Sequence, residues 1–395
     1  MLGNFLYIYH PNHMKAKMNK IGIIGAGAMG TGIAQVAAAA GCEVRVYDTK
    51  EAAQVRSRNS LQKILNRQVE KGRMIDQEVK ELMGRIYYIT ELQTLADCDI
   101  VIEAIVENME IKQQVFGSLE AIVGDNCVLA SNTSSLSITE IAASCSKPQR
   151  VMGIHFFNPA PLMKLVEIIP AMQSDDDLVT KAKDTIDSWG KYTVMARDTP
   201  GFIVNKVARP FYSEAIKLYE EGIADPATID WALTELGGFR MGPFTLTDYI
   251  GHDVNYKVTE SVWKAFYYDG RYKPSFAQKK LVEAGYLGRK ADKGWFDYGM
   301  DAAKPEPKKD NDLGQKILDR VLAMLINEAA DTVYLGICSE ADVETAMSKG
   351  VNYPKGLLTW GKEIGYGKVV DLLDGLYDRY HEERYRVSPW LRDRV

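Results

Sequence analysis

KIGIIGAGAMGTGIAQVAAAAGCEVRVYD, from Lys20 to Asp48, is the stretch that decides the fold. KIGIIG reads as a short buried strand and MGTGIAQVAAAA as a helix, with Gly25-Ala26-Gly27-Ala28-Met29-Gly30 between them. This is GxGxxG in the strand-turn-helix setting the motif requires: Gly25 permits the tight turn, Gly27 lets the backbone approach a pyrophosphate, and Gly30 lets the helix pack closely on the strand. The helix N-terminus then offers free N–H groups and a positive dipole end to phosphates. Asp48 closes the next strand, EVRVYD, at about the 20-residue offset expected of a ribose-binding acid. Its carboxylate would accept hydrogen bonds from ribose hydroxyls and repel a 2′-phosphate, which points to NAD rather than NADP as the cofactor.

Outward from this unit, short β-branched runs continue to alternate with helical stretches as far as Arg197. RIYYI, DIVIEAI, CVLASNT, VMGIHFF, KLVEIIP and YTVMA follow the first two strands. The pattern predicts a parallel sheet flanked by helices, a Rossmann-like doubly wound α/β domain over residues 18–197. From Asp198 the pattern turns helical, and Asp198 and Thr199 before Pro200 read as a cap with proline in the first turn. A helical domain is expected over 198–298, and the proline- and charge-rich DAAKPEPKKDND suggests a linker over 299–313. Shifting the chain by 114 positions aligns Glu214-Ala215 with Glu328-Ala329, Gly222 with Gly336, Ala232 with Ala346, Gly242 with Gly356, and Ile250-Gly251 with Ile364-Gly365. One register for so many matches indicates an internal repeat, so 314–395 reads as a second, degenerate copy of the helical domain. Residues 1–17 read as an N-terminal extension, a poor signal peptide because no basic cluster leads it.

The 395 residues are 46% hydrophobic and 26% charged, with a formal net charge of -5. That balance suits a multidomain globular protein and argues against nucleic acid as a partner. Cys42, Cys98, Cys127, Cys145 and Cys338 form no CxxC pair and read as reduced thiols in the cytoplasm. No apolar run approaches the roughly 20 residues of a membrane span. Neither a membrane association nor a metal site is expected.

In GIHFFNPAPLMKLVEII, His155 ends one strand and Glu167 stands within the next. A short connection can bring two such strands together, and a carboxylate holding an imidazole suits a general base acting on a hydroxyl. The spacing alone is also that of two unrelated residues.

The motifs EAIVEN (Glu103–Asn108), NTSSL (Asn132–Leu136), HFFNP (His155–Pro159), LVEII (Leu165–Ile169) and PGFIVN (Pro200–Asn205) together resemble the 3-hydroxyacyl-CoA dehydrogenase family, in family order, over residues 20 to 298. The resemblance implies NAD-dependent, reversible oxidation of a (3S)-3-hydroxyacyl-CoA. In that reading His155 takes the hydroxyl proton and Glu167 orients it. Ser134 and Asn205 hold substrate oxygens, with Ser134 also beside the cofactor, and Asn158 sits at the nicotinamide end. Glu107, Lys112 and Lys290 lie near the cofactor, and Lys112 also reaches toward the thioester. Two structural alternatives stand beside this: Ser134 capping the helix SITEIAA, and Asn205 satisfied by local backbone.

Seven basic residues lie between Lys50 and Arg73, against only Glu51 and Glu70. Arg56, Lys63, Arg67 and Lys71 share one helical stripe, a local anion site in an acidic protein. Coenzyme A phosphates are the expected guest, with Lys63, Arg67 and Lys71 as ligands. The end of the second repeat, ERYRVSPWLRDR, resembles bacterial enzymes of butanoyl-CoA metabolism and phenylacetate breakdown. 3-Hydroxybutyryl-CoA is therefore the first expected substrate and 3-hydroxyadipyl-CoA the alternative. A β-hydroxyacid dehydrogenase would use a lysine as its acid/base group, and a crystallin-like NAD-binding protein would not turn over at all. The second repeat places Asp319 where the first has Asn205, so it reads as non-catalytic. Its apolar helix ILDRVLAMLINEAADTVYL predicts a pseudo-dimer within the chain, with homodimerisation through another surface left open.

Overall fold

The computed structural model describes residues 18–303 and 305–395; the N-terminal extension expected at 1–17 lies outside the described residues. Eight strands form one sheet: β1 (Lys20–Ile24), β2 (Glu43–Tyr47), β3 (Ile86–Ile89), β4 (Ile100–Glu103), β5 (Val128–Ser131), β6 (Val151–Phe156), β7 (Leu165–Pro170) and β8 (Tyr192–Met195). Their spatial order is β3-β2-β1-β4-β5-β6-β7-β8. Each expected strand run supplies one of them. The expectation of a wholly parallel sheet needs one correction: β6 and β7 pair antiparallel, in a register that sets His155 directly opposite Glu167. The eight residues between the two strands are too few for the helical crossover a parallel neighbour needs. Every residue of β4, β5 and β6 is buried, as expected of strands covered by helices on both faces.

Helix α1 (Ala28–Ala39) buries Ile33, Ala34, Val36, Ala37 and Ala38 against the sheet, its alanines permitting close approach. Helix α2 (Glu51–Glu70) buries only Gln54, Ser57, Leu61 and Leu65 and exposes a mostly polar surface in which Val55 and Ile64 stand out. No helix among the described residues is long and apolar enough to cross a membrane.

After β8 the chain is helical. Its first helix is a single turn, Val204–Val207, and Asp198 does not cap it as expected. The Asp198 carboxylate instead accepts from the backbone N–H of Ile138 and Thr139 and from Ser137 Oγ, at the start of the helix Ile138–Ala142. The helix that follows the proline-rich stretch runs Asn311–Tyr334 and opens within the residues read as linker, because Asp310 caps it at Leu313 N. Its apolar face joins the same core as Phe211, Ile216, Leu233 and Phe239 from the preceding helices.

Local structure recurs at the 114-residue offset. Asp230 accepts from Phe244 N and Thr245 N, and Glu344 accepts from Leu358 N and Thr359 N. Gly251 and Gly365 have φ of 99° and 96°. Where the two helical regions meet, Lys206 pairs with Glu328 and Arg320 pairs with Glu214, positions related by that same offset. Arg271 and Tyr272 also converge on Glu328, as Arg384 and Tyr385 do on Glu214.

Candidate active site

The carboxyl ends of β1, β4, β5 and β6 lie along one edge of the sheet, with the order reversing between β1 and β4. Such a switch point is where open α/β sheets bind ligands. A cleft of about 1520 Å³ opens there, walled by Gly25–Ala28, Asp48, Ile105–Val106 and the β6–β7 connection from Asn158 to Leu162. Gly25 has φ of 104°, and a Cβ on it would stand 2.6 Å from Ala104 O. On Gly30 a Cβ would fall 1.9 Å from Gly25 O, whereas on Gly27 it would meet nothing within 4 Å. The loop is therefore closed against the sheet at Gly25 and Gly30 and open toward the cleft at Gly27, where a pyrophosphate fits against the first amides of α1, which have no intrahelical acceptors. Asp48 lines the cleft. Its Oδ2 accepts from Ala26 N (2.8 Å) and its Oδ1 from Lys50 N (2.9 Å), which ties the acid to the loop and leaves lone pairs for ribose hydroxyls.

His155 Nδ1 lies 2.7 Å from Glu167 Oε2. A carboxylate only accepts, so the imidazole presents an N–H from Nδ1, and the contact turns Nε2 away from Glu167. Glu167 is fully buried, and its other oxygen, Oε1, accepts from Ile203 N (3.1 Å) and Val204 N (2.9 Å). Phe157 and Phe202 flank the ring, with centroids 4.5 and 5.9 Å away. The imidazole is thus held by one carboxylate oxygen on one side and walled by aromatic rings around it.

Ser134 follows β5, and its N–H donates to Glu107 Oε1 (3.2 Å). It does not cap the helix after it; Ser137 does, accepting from Glu140 N. Glu107 also takes hydrogen bonds from Thr133 and Ser135. Burial alone would raise its pKa, but these hydrogen bonds and the Lys112 ammonium outweigh it and hold the carboxyl below the usual range. Lys112 is buried, 2.6 Å from Glu103 and 3.4 Å from Glu107, so its charge is committed to these two acids. Asn158 is exposed on the cleft wall. Asn205 lies on the turn Val204–Val207, partly exposed. Lys290 does not line the cleft; it is exposed and paired with Asp253 in the helical region. Lys63, Arg67 and Lys71 are exposed along α2, while Arg56 and Arg73 line the cleft itself.

Sequence reasoning passed over Glu103, the Ile203 and Val204 amides, and Lys191, which donates to Ala160 O (2.6 Å) and Met163 O (2.7 Å) and so fixes the Asn158–Leu162 wall. Burial pushes the Lys191 pKa down to about 8. A charged residue ending an apolar strand, as in IVIE, was the readable signal for Glu103; backbone amides leave none.

Comparison with known proteins decides what this edge serves. The family model described as 3-hydroxyacyl-CoA dehydrogenase, NAD binding domain, matches residues 20–199, and the C-terminal-domain model matches 201–298 and 317–395. The chain belongs to the 3-hydroxyacyl-CoA dehydrogenase family. It is an NAD-dependent oxidoreductase acting on 3-hydroxyacyl-CoA. The enzyme is 36% identical to the 3-hydroxyadipyl-CoA dehydrogenase of Escherichia coli (strain K12) over 97% of this chain and 98% of that one. It is 42% identical to a probable 3-hydroxybutyryl-CoA dehydrogenase of Bacillus subtilis over 71% of this chain and 98% of that one. Among solved structures, the 3-hydroxybutyryl-CoA dehydrogenase of Escherichia coli K12 superposes with a TM-score of 0.92 at 35% identity, covering 96% and 98% of the two chains.

Proposed function

We propose that the enzyme oxidises short-chain (3S)-3-hydroxyacyl thioesters of coenzyme A with His155 as general base. The observation that carries this reading is the buried His155–Glu167 contact of 2.7 Å, with Glu167 gripped by two backbone amides. Gly25–Gly30, Asp48 and Asn158 would hold the dinucleotide; NAD, when bound, accepts hydride from C3 of the substrate. His155 Nε2 takes the proton from the 3-hydroxyl, and Glu167 stabilises the imidazolium that forms. Ser134 and Asn205 orient the substrate oxygens, which aligns C3 before the hydride leaves. Lys112 acts on the ligands through Glu107, since its ammonium is already paired. Arg56 and Arg73 at the cleft, with Lys63, Arg67 and Lys71 beside them, form the cationic surface for the coenzyme A phosphates.

The substrate read first is 3-hydroxybutyryl-CoA. A second reading, 3-hydroxyadipyl-CoA, is favoured by the name of the relative that matches nearly the whole chain. Loss of NADH absorbance with acetoacetyl-CoA tests the reaction, and a free 3-oxo acid serves as the contrast. The thioester should be reduced and the free acid left untouched; turnover of the free acid alone would overturn the reading. Comparing acyl groups that end in methyl with those that end in carboxylate separates the two substrates.

The second helical copy is read as an internal partner for the first: the reciprocal Lys206–Glu328 and Arg320–Glu214 pairs have the pattern of an isologous interface. Four of the five cysteines are buried, which suits a reducing cytoplasm.

A further inference from the structure

The turn Val204–Val207 stands between Glu167 and the second helical copy, and Ala208 alone separates it from the helix Arg209–Glu220, whose Arg209 Nε donates back to Asn205 O (2.8 Å). The turn is four residues long, with no side-chain cap, and follows two residues with positive φ, Gly201 (75°) and Phe202 (47°). The first amides of such a helical stretch have no intrahelical acceptors and are free to bind an outside group. The amide of Val204 and that of Ile203 before it carry the whole grip on Glu167 Oε1.

The opposite side of this turn is clasped by the second copy. Lys206 has no solvent exposure; its ammonium donates to Glu328 Oε1 and to Thr332 Oγ1 (2.9 Å), both on Asn311–Tyr334. Gly350 closes the next helix, Glu340–Gly350, and packs so tightly that a Cβ there would stand 2.5 Å from Leu165 Cδ2 and 3.1 Å from Val204 Cγ2. Leu165 opens the strand that bears Glu167. Arg197 N, after β8, donates to Ile337 O (2.8 Å). The Cys338 thiol is pushed up to about 12, first by burial and then by the charges of Asp342 and Glu167, with Lys206 opposing. A buried ammonium left unpaired is costly, so Lys206 has a single tolerable position. For packing alone an apolar side chain would serve as well.

Resting on the His155–Glu167 reading above, we infer that Lys206 is a positioning residue for the dyad, clasped by Glu328 and Thr332 so that the second helical copy sets the geometry of the base carried by the sheet. The clasp fixes the turn, the turn's amides fix Glu167, and Glu167 fixes His155. Asn205, on the same turn, is held by the same contact.

The test uses the full-length enzyme carrying Lys206→Met, which leaves Glu328 paired with Arg271 and Tyr272, and Thr332→Val, a near-isosteric change that removes the hydrogen bond from Lys206 together with the hydroxyl's bond to Glu328 O within its own helix. Lys206→Met should lower kcat by about 10- to 100-fold, and Thr332→Val by roughly 2- to 5-fold, with the KM for NAD within about twofold of wild type. The acid limb of kcat for hydroxyacyl oxidation should also move to lower pH, because a loosened Glu167 stabilises the imidazolium less. A merely structural role would reduce the folded fraction and leave that limb in place. A folded Lys206→Met with wild-type kcat and acid limb overturns the inference; if that variant does not fold, an unmoved limb in Thr332→Val does so. His155→Gln measured alongside separates the two readings: near-normal turnover there removes the dyad itself, whereas an inactive His155→Gln beside an unaffected Lys206→Met removes only the positioning role.

Discussion

Glu167 has one oxygen committed to two amides and the other to a single imidazole, so what it can do chemically it does through His155. A second pair shows that such a contact is not sufficient to make a site. His252 Nε2 lies 2.6 Å from Asp248, and both are fully buried. Asp248 also accepts from Trp295 N, Phe296 N and Tyr298 Oη, which pins residues 288–298 to the helical region. His252→Gln should therefore cost stability, about 1–3 kcal/mol for a disturbed buried hydrogen bond, and leave kcat per folded molecule unchanged; melting curves and active-site titration check this. At the cofactor end, Asp48→Ser should narrow the preference for NAD over NADP by at least about tenfold, by removing the charge that repels a 2′-phosphate. Ratios of kcat/KM for the two cofactors measure it, and a wild-type preference for NADPH would contradict the assignment. The positions of Gly25, Gly27, Gly30 and Asp48 on the loop and beside the cleft were legible in the sequence because the motif's spacing encodes them. The burial of Lys112 and the distance of Lys290 from the cleft were not, since pairing with Glu103 and Asp253 depends on where other elements fall.

At the scale of elements, all eight strands could be read from β-branched runs, because a strand covered on both faces leaves a continuous apolar mark. The antiparallel turn into β7 left a mark too, in a connection too short for a crossover. What periodicity could not settle was how α2 faces its surroundings. Its basic stripe is real, but the face that lines the cleft runs through Ala53, Arg56, Ser57, Ser60, Ile64 and Gln68, one step around the helix from Lys63 and Arg67. The stripe thus flanks the cleft as a rim. Replacing Lys63, Arg67 and Lys71 with Ala should raise the KM for a full coenzyme A thioester several-fold and leave that for a pantetheine thioester alone, with the difference shrinking as salt rises. Equal losses on both substrates would indicate damage to α2 instead. Asp198 illustrates another limit: its carboxylate caps a helix 60 residues earlier in the chain, at Ile138, where local cap patterns cannot point.

For the whole molecule, the second helical copy was visible in sequence as a matching register, and its contacts tie it to both the first copy and the sheet. A chain cut to residues 18–300 would lose the partners of Lys206 and Glu214 and would uncover the apolar face that packs against Leu318, Val321 and Leu325. It should aggregate or form a new dimer in light scattering; a monomer as heat-stable as the full chain would contradict the internal-partner reading. The proposed chemistry requires the joined domains to present one oriented base to a 3-hydroxyacyl thioester beside bound NAD. The direct test is the steady-state reduction of acetoacetyl-CoA by NADH, comparing the intact enzyme with His155→Gln, together with NADH binding followed by fluorescence. Turnover should fall by about 10²- to 10⁴-fold with little change in NADH affinity; turnover near the wild-type rate would contradict the assignment of His155 as the base.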